Sequence, residues 1–312
     1  MSELIDGYFE TFRGGVNTWE CDENAHMNVQ FYVARASDAS FFLRHALGLT
    51  PSRIRAEKRT TITLEEHLRF HRELHAGDIM RMRTRIIAMR DKTMTVCHEL
   101  LNANTDETAA TIVSTCGHLD LEKRRLIAWD DGARKRGEAL TGPLPEHARP
   151  RGLDAQTRLP AITLAQAGAR GFIDIHRGPA MPWQCGDSGH MNTQFYMSRF
   201  SDGGGHLWRS LGMDRSSMLR QGRGTIALEQ RISYVREVRS GDTLIIKSAL
   251  SGMTDKTLRF THLMFNAETG ELAASSDSIA AILDLERRKI VALADESRAS
   301  LERHLRVAES PA

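Results

Sequence analysis

The chain predicts an α+β protein made of two copies of one domain, and two observations carry the prediction. The first is a repeat. Trp19-Glu20-Cys21-Asp22-Glu23-Asn24-Ala25-His26-Met27-Asn28 returns as Trp183-Gln184-Cys185-Gly186-Asp187-Ser188-Gly189-His190-Met191-Asn192, an offset of 183 − 19 = 164. The same offset carries Glu65 to Glu229, Asp91-Lys92 to Asp255-Lys256, His98 to His262 and Asp120-Leu121-Glu122 to Asp284-Leu285-Glu286. No gap is needed from about Tyr8 to Asp131, so the chain is a covalent pseudo-dimer. The second is element order: each copy reads as a short strand, one long helix and then a meander of strands. A lone helix has only that sheet on which to bury its apolar stripe, which gives a helix wrapped by an antiparallel sheet.

Each element has its own signal. Tyr8–Arg13 and Phe172–Arg177 read as short strands, followed by the loop that holds the repeated segment. Helices are expected over Val29–Leu47 and Thr193–Leu211. Tyr32, Ala36, Ala39, Leu43 and Leu47 recur at three-to-four spacing, and Gly48 and Gly212 stand where a helix end favours glycine. The second helix carries Gly203-Gly204-Gly205, each costing about 1 kcal/mol relative to alanine. Either close packing rewards glycine there or the helix is irregular. Ile62, Leu64, Leu68 and Phe70 alternate with Thr61, Thr63, His67 and Arg69, and Ile226, Leu228, Ile232 and Tyr234 do the same. Gly77-Asp78 and Gly241-Asp242 mark turns. Ile79–Ala88, Thr93–Asn102 and Thr111–Leu121, with their equivalents, complete the meander, and Asp91-Lys92 and Asp255-Lys256 fall at hairpins.

These signals divide the chain into a first domain, 1–130, and a second, 171–296. Residues 131–170, rich in glycine and proline, read as a surface linker, and 297–312 as a charged tail, in which Ser297–Glu309 has the look of a solvent-facing helix but reads better as simply solvated.

Composition limits function. The 312 residues are 41% hydrophobic and 26% charged with net charge +2, which gives no pull toward nucleic acid or a membrane surface. No apolar run is long enough to span a bilayer, and Met-Ser-Glu-Leu-Ile-Asp is neither basic nor apolar enough to begin a signal peptide. The four cysteines, at 21, 97, 116 and 185, form no CxxC pair and read as small buried side chains in a reducing cytoplasm. Neither they nor the histidines have metal-ligand spacing, so no metal is expected; no Gly-x-Ser-x-Gly elbow is present.

Asp22-x-Asn24-x-His26-x-Asn28 stands just before the first long helix. A helix N-terminus presents unpaired N–H groups and partial positive charge, suited to a carbonyl oxygen becoming an oxyanion. A carboxylate beside it can activate water or attack directly. Asp and Asn are also preferred helix caps, but His26 and His190 serve no capping purpose. The second copy has Gly186 in place of Asp22 and Ser188 in place of Asn24; it keeps His190 and Asn192 and carries Asp187 one residue late. The expectation is a division of labour, with the chemistry in the first copy. Arg35/Arg199 and Asp38/Asp202 read as structural pairs within the helices.

The order of elements together with Trp19-x-x-Asp22-x-Asn24-x-His26-x-Asn28 and Tyr32 resembles the hotdog fold and the Asp-x-Asn-x-His segment of plant acyl-ACP thioesterases, which are also tandem hotdogs. It is more loosely similar to 4-hydroxybenzoyl-CoA thioesterases. The resemblance implies an acyl thioester hydrolase with Asp22 as base or nucleophile and Asn24 and His26 positioning it and the water. Glu65 resembles a strand carboxylate of the acyl-ACP enzymes, although a strand-face charge paired with Arg69 reads equally well. In such pairs the substrate lies between two subunits, so Asn28, Asp187, His190 and Asn192 are expected to line it. Acyl-CoA or acyl-ACP would bring phosphates, for which Arg223 is the first candidate, with Lys58, Arg59, Arg231 and Arg236 behind it. No cofactor is expected beyond CoA as part of the substrate. Exposed sheet edges leave room for a homodimer. The rival readings are a hotdog dehydratase or hydratase on acyl thioesters, and a non-catalytic acyl-CoA-binding protein.

Overall fold

The computed structural model describes residues 7–153, 161–186, 189–293 and 295–306. It divides into two compact units, Met1–Pro150 and Arg151–Ala312.

The first unit runs β1 (Phe9–Gly15), a 3-10 turn (Thr18–Glu20), α1 (Val29–Ala46), α2 (Pro51–Glu57), β2 (Arg59–Phe70), β3 (Ile79–Met89), β4 (Thr93–Asn102), β5 (Thr108–Asp120), β6 (Arg125–Leu126) and α3 (Asp131–Ala139). The strands lie in the antiparallel order β1-β3-β4-β5-β2, with β6 on β5. Asn28 begins α1: its Oδ1 accepts from the Gln30 amide at 3.0 Å, satisfying one of the helix's orphan donors. Gly48, at φ +79, ends it in the left-handed region. Tyr32, Val33, Ala36, Ala39, Leu43 and Leu47 form the buried stripe. Leu43 and Leu47 share a core with Ile86, Met94, Val96 and Trp129. Burial of each such leucine contributes roughly 1.5–3 kcal/mol.

The second unit runs α4 (Leu164–Ala169), β7 (Ile173–Pro179), a 3-10 turn (Pro182–Gln184), α5 (Thr193–Asp202), α6 (Gly204–Ser210), α7 (Arg215–Arg220), β8 (Arg223–Tyr234), β9 (Thr243–Met253), β10 (Thr257–Asn266), β11 (Leu272–Asp284), β12 (Lys289–Ile290) and α8 (Asp295–Glu302). Its order is β8-β11-β10-β9-β7, antiparallel, with β12 on β11. The expected long helix is divided at Gly203. A Cβ on Gly203 would lie 2.6 Å from Ile175 Cδ1 of β7, whereas Gly204 and Gly205 would meet nothing within 4 Å. Close packing and irregularity therefore both operate, and only Gly203 is needed for the approach.

Both long strands that follow the helices carry a bulge at the same place. The register of β2 on β5 slips between Thr63 and Glu65, and that of β8 on β11 between Ala227 and Glu229. The extra residues, Leu64 and Leu228, break the simple alternation and re-aim the glutamate that follows.

Two segments differ from the sequence expectation. The stretch read as a linker starts with α3, which belongs to the first unit: Ala133, Gly137 and Leu140 are buried, and Gly142 N–H donates to the Ile86 carbonyl at 2.9 Å. Further along, polar groups clamp it. Arg85 donates to the Pro143 carbonyl (3.0 Å), Arg69 to the carbonyls of His147 (2.8 Å) and Arg149 (3.1 Å), and His147 Nε2 reaches Glu99 at 3.1 Å. Glu99 is fully buried and also takes Arg83 and the Tyr8 hydroxyl. Ala133, Gly137 and Leu140, at helical spacing, seat α3, and beyond it hydrogen bonds rather than an apolar stripe hold the stretch, which leaves hydrophobic periodicity little to detect. The expected solvated tail likewise begins as α8 with Leu301 fully buried, and Arg306 N–H donates to the Leu250 carbonyl at 2.8 Å.

Candidate active site

Residues 20–28 fold into a tight hairpin ahead of α1. Asn28 N–H donates to the Glu20 carbonyl (2.8 Å), Asp22 N–H to the His26 carbonyl (2.8 Å) and Ala25 N–H to the Asp22 carbonyl (3.0 Å). Ala25 takes φ +59 to close the turn. The Asp22 carboxylate, partly exposed, sits over this turn and accepts from the backbone amides of Asn24 (2.8 Å) and His26 (3.3 Å). Two amides from a closed turn fix the carboxylate on the backbone rather than on a mobile side chain, the kind of support a reacting group needs. The helix-capping job falls to Asn28 alone. Asn24 Oδ1 is buried and has no hydrogen-bond partner among the described residues.

The hairpin is anchored from below. Glu20 is buried, accepts from Asn17 N–H at 2.8 Å and pairs with Arg35. Met27 N–H donates to the Leu74 carbonyl at 2.7 Å. Tyr32 lies beneath, edge-on to Phe70, and burial keeps its hydroxyl protonated. Arg35 also reaches Asp38 at 3.3 Å, as expected, while Arg199 is taken by Gln184 (2.7 Å) and the Pro179 carbonyl (2.7 Å).

The imidazole of His26 is buried, and its Nδ1 lies 3.5 Å from Glu73 Oε1. His26 therefore meets Asp22 through its main-chain N–H, while its ring faces Glu73. His190 faces Glu237 through the other ring nitrogen, Nε2, at 3.4 Å. Sequence reasoning passed over Glu73 and Glu237, although 237 − 73 = 164 places them at the repeat offset.

The second hairpin keeps the backbone and loses the carboxylate. Gly186 N–H donates to the His190 carbonyl at 2.9 Å, Asn192 N–H to the Gln184 carbonyl at 2.9 Å, and Gly189 takes φ +75 where Ala25 stands in the first copy. A Cβ on Gly186 would lie 2.9 Å from Asn192 Oδ1. The Asn192 side chain makes no cap bond and leans instead toward the place of the missing carboxylate. Asp187 lies outside the described residues.

The strand glutamates part company. Glu229 is buried, and its carboxylate accepts from the amides of Arg151 (3.0 Å), Gly152 (2.8 Å) and Leu153 (3.4 Å). Glu65 is partly exposed, and Arg69 spends its guanidinium on carbonyls instead. Of the basic candidates, Arg223 lies 3.3 Å from Asp284 and Arg236 pairs with Glu271 at 2.9 Å. Lys58 is the left-handed cap of α2, at φ +54, and Arg59 lies 4.0 Å from Glu57. All four cysteines are free. Cys97 and Cys116 are buried as expected, and burial pushes their thiols up to about 12; Cys21 and Cys185 are partly exposed. Among the described residues no helix is long and apolar enough to cross a membrane.

Two units, each an antiparallel sheet wrapped around a helix with a tight hairpin ahead of it, define a tandem hotdog protein. The chain belongs to the thioesterase-like superfamily, whose family model matches residues 16–137 and 181–301. It is 31% identical over 137 residues to the L-carnitine dehydrogenase/betainyl-CoA thioesterase of Agrobacterium fabrum, a match covering 43% of this chain and 28% of that protein. It is 23% identical over 107 residues to the betainyl-CoA thioesterase of Pseudomonas aeruginosa, covering 34% of this chain and 67% of the relative. The 12:0-ACP thioesterase from Umbellularia californica shares the fold with a TM-score of 0.66 at 15% identity, over 88% of this chain and 94% of that one. An acyl-ACP thioesterase from Bacteroides thetaiotaomicron does so at 0.63 and 10% identity, over 88% and 98%.

Proposed function

We propose that the chain hydrolyses an acyl thioester at the first hairpin, with Asp22 as the general base. The observation that carries this reading is the Asp22 carboxylate held by the Asn24 and His26 amides, in a hairpin whose second copy has glycine at that position. Asp22 takes a proton from water as the water oxygen bonds to the carbonyl carbon. The amides of Gln30 and Phe31 are bonded to Asn28 (3.0 Å each), so the oxyanion falls to Val29 N–H at the positive end of α1. Collapse of the tetrahedral intermediate breaks the C–S bond, and the thiolate leaves and is protonated. Glu65, re-aimed by its bulge, orients the water from the strand side.

CoA is the carrier supported by the two betainyl-CoA relatives, and a small charged acyl group is the first class to test. The free cysteines fit a reducing compartment. The test is a thiol-release screen of betainyl-CoA, neutral acyl-CoAs of increasing length and acyl-ACP, run on the wild type and Asp22→Asn. Thiol release that depends on Asp22 supports the reading. Conversion without thiol release would mean hydration or dehydration instead, and binding without turnover on every substrate would make the chain an acyl-CoA carrier.

A further inference from the structure

The third side chain beside His26 and Glu73 has no place in that chemistry. His75 lies across an isolated bridge from His26, the two rings meeting edge to face with centroids 5.1 Å apart. One ring nitrogen from each histidine and one carboxylate oxygen of Glu73 lie within 4.8 Å of one another. Ligands around a tetrahedral zinc, at bonds of about 2.05 Å, stand about 3.3 Å apart. His26 Nδ1 and Glu73 Oε1, at 3.5 Å, are nearly at that spacing already. Only His75 must close the remaining distance, and its side chain is half exposed. Asp78 Oδ2 accepts the His75 amide at 2.8 Å and lies 3.9 Å from its Nδ1, placing a carboxylate behind the ligand as metal-binding imidazoles commonly have.

The second copy supplies an internal control. His190, Glu237 and Asp242 repeat His26, Glu73 and Asp78; His190 bridges residue 239 as His26 bridges residue 75, and Asp242 accepts the 239 amide at 2.8 Å. The backbone is kept, but residue 239 is arginine, which cannot ligate a cation.

We infer that His26, Glu73 and His75 form a binding site for one divalent transition-metal ion in the first unit, and that Arg239 abolishes the equivalent site in the second. Two imidazoles and one carboxylate favour zinc, cobalt, nickel or copper over magnesium or calcium and leave a coordination position for water. The ion holds the His26 ring, which the proposed hydrolysis does not use, so binding and turnover are separate measurements.

The test is calorimetric titration of tag-free, chelator-treated full chain with Zn2+, with Co2+ visible absorption as a second readout and thermal melts to confirm folding. One ion per chain is expected in the wild type, at least tenfold weaker binding in His75→Gln, and two ions per chain in Arg239→His. No saturable binding in the wild type, unchanged affinity in His75→Gln, or a stoichiometry still at one in folded Arg239→His would each overturn the inference. None of these results depends on whether Asp22→Asn abolishes thiol release.

Discussion

Asp22→Asn removes the base and spares the turn. The asparagine side chain keeps an Oδ1 acceptor for the Asn24 and His26 amides, now at 2.8 and 3.3 Å. The loss is the ionic character of two partly exposed hydrogen bonds, about 1 kcal/mol or less. For a domain of this size that is a drop of roughly 2–4 °C in melting temperature. Asp22→Ala instead leaves both amides without their acceptor and costs about 1–2 kcal/mol, so it confounds folding with catalysis. General-base help contributes about 10²–10⁴-fold in rate, or about 3–5.5 kcal/mol of barrier. The assay is release of free thiol from the best acyl-CoA of the screen, with a thermal melt on the same preparation. Asp22→Asn should cut kcat at least a hundredfold while melting within a few degrees of the wild type. A variant that melts normally and turns over within threefold of the wild type would refute the role given to Asp22.

Three further outcomes follow from the packing. Glu229→Ala strands the three amides of residues 151–153 and should cost about 3 kcal/mol in urea unfolding, whereas Glu65→Gln should lower kcat with little change in stability; the opposite pattern would reverse the roles of the two glutamates. Gly205→Ala, in open space within α6, should stabilise by up to about 1 kcal/mol, while Gly203→Ala, facing Ile175, should destabilise, and equal melting temperatures for the pair would contradict the close approach. His98 and His262, sharing hydrogen bonds with Thr84 and with Ser248 and Ser278, are buried neutral, and burial pushes both from 6.5 down to about 4. The unfolded chain then takes up these protons first as pH falls. Their contribution is complete above pH 6.5 and is lost between 6.5 and 4, about 2 kcal/mol each by pH 5. Urea midpoints should fall between pH 7.5 and 5 in the wild type and much less in His98→Gln/His262→Gln; parallel losses would exclude the histidines as the cause.

The repeat, the α+β class, the order of the main helix and strands and the ends of α1 were legible in the chain alone, because each is written in local terms. Amphipathic spacing, a capping Asn28 and a left-handed Gly48 need no distant partner to be read. The sequence also singled out the segment to which we assign the chemistry, since the loss of Asp22 to Gly186 is visible once the copies are aligned. What tertiary structure decided is where polar groups spend their hydrogen bonds. Glu65 and Glu229 are the same letter at the same offset, yet one is partly exposed and the other is taken by three backbone amides. The stretch after residue 130 is fastened by Glu99, Arg69 and Arg85, and His26 faces Glu73 and His75 across a turn some fifty residues of chain away. Such pairings are directional and long-range. They leave no period in the sequence, whereas burial of an apolar face leaves one at every turn of the helix.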